Sequence, residues 1–417
     1  MRRVHMLLML CGGCGDGVLA PDTAVATDSG RGGLVSLQFL SDLSELGGHT
    51  VYFQNADSSL VLAGRTTDDG RANAFMTPGG SVTLAVNRAN LVALFTHVAV
   101  QPGDELVIDE RTTVTTEPTT ALLIRVSPDP GATFYDLGTS CGSADIRGAE
   151  LQPVSVSLRD CGERADMLVR SFGNGVRYIY RDDVEIPSGA TVVFAGPYQA
   201  LEPATIVATG VEASITELNL THSLIGGRRE LYREERFITP ASGTGSAVAD
   251  VPLPVNGTSM IRLDPSVPGE LSSQHVIEWG PSIATRVVDM GTPLRPLVER
   301  PRIDPERRAI VWTESPMGAV ADAVLATFQW SPIGSGFNYQ WTVVAPREEE
   351  PILRLPLLPR EPLIPQGTLI DPYIFAMVSS EGGYARIRPR IVGAWAPGRM
   401  WPIDGSAGRV VYRDIPL

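Results

Sequence analysis

The chain has 417 residues, 43% hydrophobic and 19% charged, with 42 glycines and 33 prolines, the composition of a globular protein rich in turns and short strands rather than helix bundles. Its formal net charge of -13 lacks the basic surplus that displaces counterions from nucleic acid or an anionic membrane, so no nucleic-acid partner is expected. All 34 basic residues are arginine, which excludes a Schiff-base lysine and a phosphate-cradling GxxxxGK[ST] loop, and the length suggests about three domains.

The chain opens "MRRVHMLLMLCGGCGDG": two arginines, an apolar run from Met6 to Leu10, then glycines around two cysteines, the layout of an export signal. This leader resembles a bacterial lipoprotein signal, in which a cysteine after small residues is diacylated and becomes the mature amino terminus. The resemblance implies residues 1–14 as signal, Cys14 as the lipidated residue after Gly12 and Gly13, and a membrane partner held through that lipid. Gly15 after the cysteine implies the outer membrane, on its periplasmic or surface face. Cys11, where such signals usually carry leucine, is the weaker acceptor. A redox or metal pair made of Cys11 and Cys14 needs a second CxxC or a βαβ setting, and neither is present. Past the leader no apolar run reaches the length of a membrane span.

Residues 15–33 are small, polar and glycine-rich, which predicts a flexible tether. From Leu34 the runs "LVSLQFL", "HTVYFQ", "LVLAG", "RANAFM", "SVTLAV" and "DELVID" alternate at strand length between turn residues. Asp69-Gly70 between two such runs predicts a hairpin, so the acidic pair Asp68-Asp69 reads as a turn rather than chemistry. Thr67-Asp68-Asp69-Gly70-Arg71, with Pro78-Gly79-Gly80 and the following β-rich run, resembles the carboxypeptidase regulatory-like (transthyretin-like) β-sandwich module. The resemblance covers residues 34–116 and implies a fold, with the motif structural.

A linker, "DERTTVTTEPTTAL", leads into a second β-sandwich over residues 119–210. Cys141 and Cys161 are the remaining cysteines, and an even pair in an exported chain predicts a disulfide. Such a bridge, closing about 20 residues, stabilises by ~3 kcal/mol in the chain-entropy picture; two buried thiols are the alternative. Residues 211–300 form a β-rich region. All six tryptophans fall between Trp279 and Trp401, and residues 301–417 have the rhythm of a fibronectin or immunoglobulin-like sandwich with tryptophan between its sheets.

Candidate chemistry is sparse. Gly138-Thr139-Ser140-Cys141-Gly142 fits GxSxG, but a nucleophile elbow needs a helix next, and "SADIRGAELQPVSVSL" reads as β. His49, His97, His222 and His275 form no metal-ligand spacing, Asp182-Asp183 and Glu348-Glu349-Glu350 read as solvated turns, and the Asp68-Asp69 loop lacks calcium-loop spacing. "RRELYREERF" predicts a short helix or a charged edge strand. Trp330, Tyr339, Trp341, Trp395 and Trp401 read as core, with a sugar-stacking platform as the alternative. The expectation is an all-β protein of tandem β-sandwiches (transthyretin-like, then immunoglobulin-like) after a short leader. Its expected role is non-enzymatic: a lipid-anchored envelope protein making structural or adhesive contacts with an envelope protein or glycan, with no catalytic residue, cofactor or metal. A glycan-binding module and an exported hydrolase are the alternatives.

Overall fold

The alternation that begins at Leu34 becomes strands in a computed structural model, which describes residues 32–41, 44–110, 120–139, 142–147, 152–156, 164–187, 189–226, 229–240, 245–253, 258–266, 272–291, 293–331, 338–359, 372–392 and 407–415. The architecture is all-β, as expected. In β1 (Gly33–Leu40) Val35, Leu37 and Phe39 are buried while the residues between them are not, the period-two pattern of a half-buried strand. It is followed by β2 (Thr50–Gln54), β3 (Leu60–Arg65), β4 (Arg71–Met76), β5 (Gly80–Asn87), β6 (Leu91–Val100) and β7 (Glu105–Asp109).

The turn at Asp68-Asp69-Gly70 is present, but it is a corner rather than the expected hairpin. β3 pairs with β2, and β4 pairs with β1 in a different sheet. The reason lies in β1, whose six register pairs with β4, from Gly33↔Met76 to Gln38↔Arg71, bring Val35 and Leu37 into one core with Ala74 and Met76. β3 is held the other way, by its pairing with β2 in the long sheet, so the chain passes from one sheet to the other at this turn. The corner is fixed by Gln38, whose amide donates to the Asp69 carbonyl at 2.8 Å, and by the Phe39 N–H donating to the Gly70 carbonyl at 2.8 Å. Gly70 has φ +81°, and a Cβ there would stand 2.4 Å from the Phe39 carbonyl oxygen. Gly70→Ala is therefore expected to cost about 1–3 kcal/mol, read as a lowered urea midpoint.

The second sandwich contains β8 (Thr120–Val126), β9 (Phe134–Thr139), β10 (Gly142–Arg147), β11 (Gln152–Val156), β12 (Arg164–Gly173), β13 (Gly175–Glu185), β14 (Thr191–Phe194) and β15 (Gln199–Ala200). They form a five-stranded sheet, β10-β9-β12-β13-β15, facing a three-stranded one, β11-β8-β14. Ile124, Leu137, Val169 and Phe194 fill the space between. Next come β16 (Glu202–Thr209), β17 (Glu217–Gly226), β18 (Arg229–Ile238), β19 (Ser246–Leu253), β20 (Thr258–Ser266), β21 (Ser273–Pro281) and β22 (Thr285–Asp289). The last region contains β23 (Leu297–Asp304), β24 (Ala309–Glu314), β25 (Ala323–Trp330), β26 (Asn338–Pro346), β27 (Ile352–Arg354), β28 (Ile374–Ser380), one helical turn α1 (Tyr384–Ile387), β29 (Arg390–Val392) and β30 (Gly408–Asp414).

One sheet crosses the boundaries expected at 116, 210 and 300. Its twelve strands run β18-β17-β20-β21-β30-β28-β25-β26-β6-β5-β2-β3. One face is covered by β19-β16-β22 and β23-β24-β27 and the other by β29-β7-β1-β4. Covering on both sides explains why β5 and β25 are buried almost without interruption, where a half-exposed strand would alternate. The amino-terminal module is joined to the last region by two parallel pairings, β6 with β26 and β7 with β29. Across these joints Trp341 Nε1 donates to Thr96 Oγ1 at 2.8 Å, Arg388 bonds Asp104 at 2.6 Å, and His97 Nδ1 donates to the Arg388 carbonyl at 2.7 Å.

Candidate functional site

The residues singled out in the sequence do not converge on one place. Cys14, Cys141 and Cys161 lie outside the described residues, as do Ser140, Trp395 and Trp401. The two ends of the GxSxG match fall on β9 and β10, which pair antiparallel with Thr139 opposite Gly142, so the motif links strand to strand. Gly138 has a packing role: a Cβ there would stand 2.2 Å from the Leu231 carbonyl oxygen, where β18 crosses β9.

The acidic pairs are surface features. Thr67 Oγ1 donates to Asp69 at 2.5 Å, and Arg71 lies 3.3 Å from the same carboxylate. Asp183 meets Arg164 at 2.5 Å, while Glu350 and Glu348 meet Arg307 and Arg354 at 3.4 Å each. Pairs as exposed as these contribute little stability. Among the described residues, no group of three or more His, Cys, Asp or Glu is arranged to hold a metal ion. No helix among them is long and apolar enough to cross a membrane.

Three histidines have distinct environments. His97 is fully buried, and burial, with the Arg388 charge nearby, pushes its pKa down to about 4. His222 Nε2 lies 2.8 Å from Ser259 Oγ, and burial together with Arg286 pushes it down to about 3. Both imidazoles are therefore neutral near pH 7.

His275 is the exception. It sits on β21 between β20 and β30, with Nδ1 2.5 Å from Asp264 and Nε2 2.9 Å from Asp414. Tyr412 stacks on the ring at 4.5 Å, and Arg262 bonds Asp264 at 2.6 Å. Burial disfavours the imidazolium, but the hydrogen bonds to Asp264 and Asp414 outweigh it and hold the His275 pKa above the ordinary value. Burial likewise opposes ionisation of Asp264, and His275 and Arg262 overcome it, so that carboxyl stays below its usual range. With both ring nitrogens donating to carboxylates, the imidazolium bridges three adjacent strands. Sequence reasoning missed this cluster because Asp264, His275 and Asp414 share no motif; only strand register unites them.

A nearby cavity of about 20 Å³ is bordered by Glu212, Pro265, Gln274, Met290 and Arg413, room for roughly one water. Gln274 is engaged there, donating to the Met290 carbonyl at 3.2 Å and accepting from the Leu294 N–H at 2.7 Å. A larger open depression of about 490 Å³ lies at the β12–β13 tip, bordered by Gly131, Thr133, Phe172, Asn174 and Val176, and among the described residues no titratable side chain borders it.

Exposed apolar groups instead mark surfaces suited to contact. Leu34 and Phe75 pair across β1 and β4 at 58% and 67% exposure. Val248 and Val287 flank Val207 in one row across β19, β16 and β22. Leu60, Val61 and Leu62 stand together on β3. The described tryptophans Trp279, Trp312, Trp330 and Trp341 are all buried, so they belong to the core.

No protein-family model matches the chain, and no curated protein matches it. Among solved structures, a Bacteroides ovatus protein described as a candidate adhesin is 7% identical with a TM-score of 0.17, covering 36% of this chain and 80% of its own. A Ca2+-stabilized, ice-binding adhesin of an Antarctic bacterium is 10% identical with a TM-score of 0.13, covering 85% and 97%. The major pilin subunit BcpA of Bacillus cereus is 8% identical with a TM-score of 0.15, covering 62% and 98%. All three scores lie far below the level of a shared fold, so the architecture rests on this chain's own strands.

Proposed function

We propose that this is a lipid-anchored protein of the bacterial cell envelope, held at the outer membrane through Cys14, whose joined β-sandwiches carry contact surfaces for an envelope protein or glycan without catalysing a reaction. The observation that carries this reading is the twelve-stranded sheet. It takes strands from the amino-terminal, third and last regions, so that a contact made on one is braced by the others rather than swinging on a linker. The buried polar groups fit the same role, since Arg388–Asp104 and the His275 bridge tie strand to strand. Burial of the described tryptophans favours contact through exposed apolar rows over sugar stacking on indole rings.

The test is intact mass and detergent partitioning of the protein expressed in a bacterial host, beside a Cys14→Ser variant. Wild type is expected to carry a diacylglyceryl mass and enter the detergent phase, and the variant to lose both. Two aqueous, unmodified proteins would overturn the anchor.

A further inference from the structure

The described chain begins at one end of β1, and that end carries exposed apolar side chains. Leu34 of β1 and Phe75 of β4 stand directly opposite each other in register. The alternation that buries Val35, Ala74 and Met76 in the core turns these two to the outer face of β29-β7-β1-β4. The Phe75 ring lies beside Gly32, the first described residue, where a Cβ would stand 2.6 Å from it. Farther along the same face the outward side chains are Ser36 with Asn73 and then Gln38 with Arg71, and Glu105 stands beside Ser36. The exposed apolar surface of β1 and β4 is therefore confined to the end where the chain comes in.

We propose that Leu34 and Phe75 dock into the interface of the lipid bilayer that takes the Cys14 anchor, so that the body rests on the membrane by its chain-entry end; the inference rests on the lipid-anchor reading above. About 18 residues lead from Cys14 to Gly32, and a flexible chain of that length, as its small polar composition predicts, has a root-mean-square span of roughly 20–25 Å. Such a tether keeps the pair within reach of the lipid without holding it there, and the high effective concentration lets a weak contact form. The size of the patch selects lipid over protein. A stable protein partner needs ~1,000 Å² or more of complementary surface, far beyond two side chains, whereas the boundary between headgroups and acyl chains accepts apolar groups of any shape. Charge selects the kind of lipid, because Glu105 in the next row and the net charge of -13 are repelled by anionic headgroups. The surface is therefore a neutral phospholipid one.

The test uses the full chain with Cys14→Ser and an amino-terminal histidine tag, held on phosphatidylcholine vesicles by a small fraction of nickel-chelating lipid. Docking is then read whether or not Cys14 is lipidated, and the anchor is judged separately by the mass and partitioning above. Phe75→Trp places an indole in the patch, and Val287→Trp places one at a strand position of similar exposure, 59%, in β19-β16-β22, so the affinity of indole itself for lipid is common to both. Brominated acyl chains quench an indole that they touch, and quenching of the parent chain is subtracted. The indole at position 75 is expected to be quenched and the one at position 287 not. Adding Leu34→Ser to Phe75→Trp should cut the quenching about threefold or more. All three positions are exposed, so thermal melting should match the parent. An unquenched indole at position 75, equal quenching at position 287, or indifference to Leu34→Ser overturns the proposal. So does an indole at position 75 that becomes shielded with rising protein concentration in the absence of vesicles, which would mark a second copy on the patch.

Discussion

Trp341→Ala is expected to cost about 3–5 kcal/mol and to loosen the joint between the amino-terminal module and the last region. Trp341 lies on β26 opposite Leu94 of β6 and is 2% exposed. Truncation leaves a large cavity among Phe328, Trp330 and Val343. It also removes the indole donor to Thr96, a bond between residues 245 apart in sequence, while Thr83 still bonds Thr96 at 2.8 Å. Urea unfolding gives the loss, and limited proteolysis gives its location. Cleavage should accelerate in β6 and β26 before the second sandwich, which shares no sheet with them. Trp341→Phe fills most of the space and removes only the N–H donor, so about 1–2 kcal/mol is expected. A Trp341→Ala protein with an unchanged midpoint would mean that the parallel β6–β26 pairing contributes little.

How much of this was legible in the sequence depends on which strand contacts are local. The alternation of "LVSLQFL" gave β1 its inward face because side chains on a strand point to opposite sides in turn. Pro78-Gly79-Gly80 marked a turn because Gly79 takes φ +87°. "RRELYREERF" was open between helix and edge strand, and β18 is the strand, its charges paired as Arg233–Glu235 and Arg236–Glu234. Alternation says which way a side chain points but not which strand lies alongside. Nothing in "LVALFTHVAV" announces that its neighbour is "NYQWTVVAP", because parallel pairing between distant segments needs no turn and leaves no local signal. For the same reason Asp69-Gly70 predicted a hairpin and gave a corner, since the decisive contact was β1 with β4. The His275 cluster was illegible on the same ground: its carboxylates come from β20 and from the last strand, β30.

That last strand makes His275 the site of the clearest pH dependence. β30 lies between β21 and β28, so it joins the third region to the last. Charged and titratable groups facing the imidazole are Asp264 and Arg262 from β20, and Asp414 and the Tyr412 phenol from β30. A histidine whose folded pKa is raised stabilises fully below its unfolded value of about 6.5, and that contribution is lost as pH rises through the folded pKa. The depressed Asp264 acts at the other end, its contribution present above about 4 and lost as pH falls through its folded pKa. Stabilisation by the bridge is therefore greatest between about pH 4 and 6.5. His97 and His222, buried and neutral, oppose this below about 6.5, so wild type alone would give a mixed profile. The difference between wild type and His275→Leu isolates the bridge. Near pH 6 the variant is expected to lose about 3–5 kcal/mol, because two partly buried carboxylates are left with Arg262 alone. Above the raised pKa the difference should shrink, as wild type no longer holds the proton that bonds the second carboxylate. Urea midpoints measured in steps from acid to alkaline pH read this directly, and a difference that stays constant with pH would show that His275 acts by packing on Tyr412 rather than by charge.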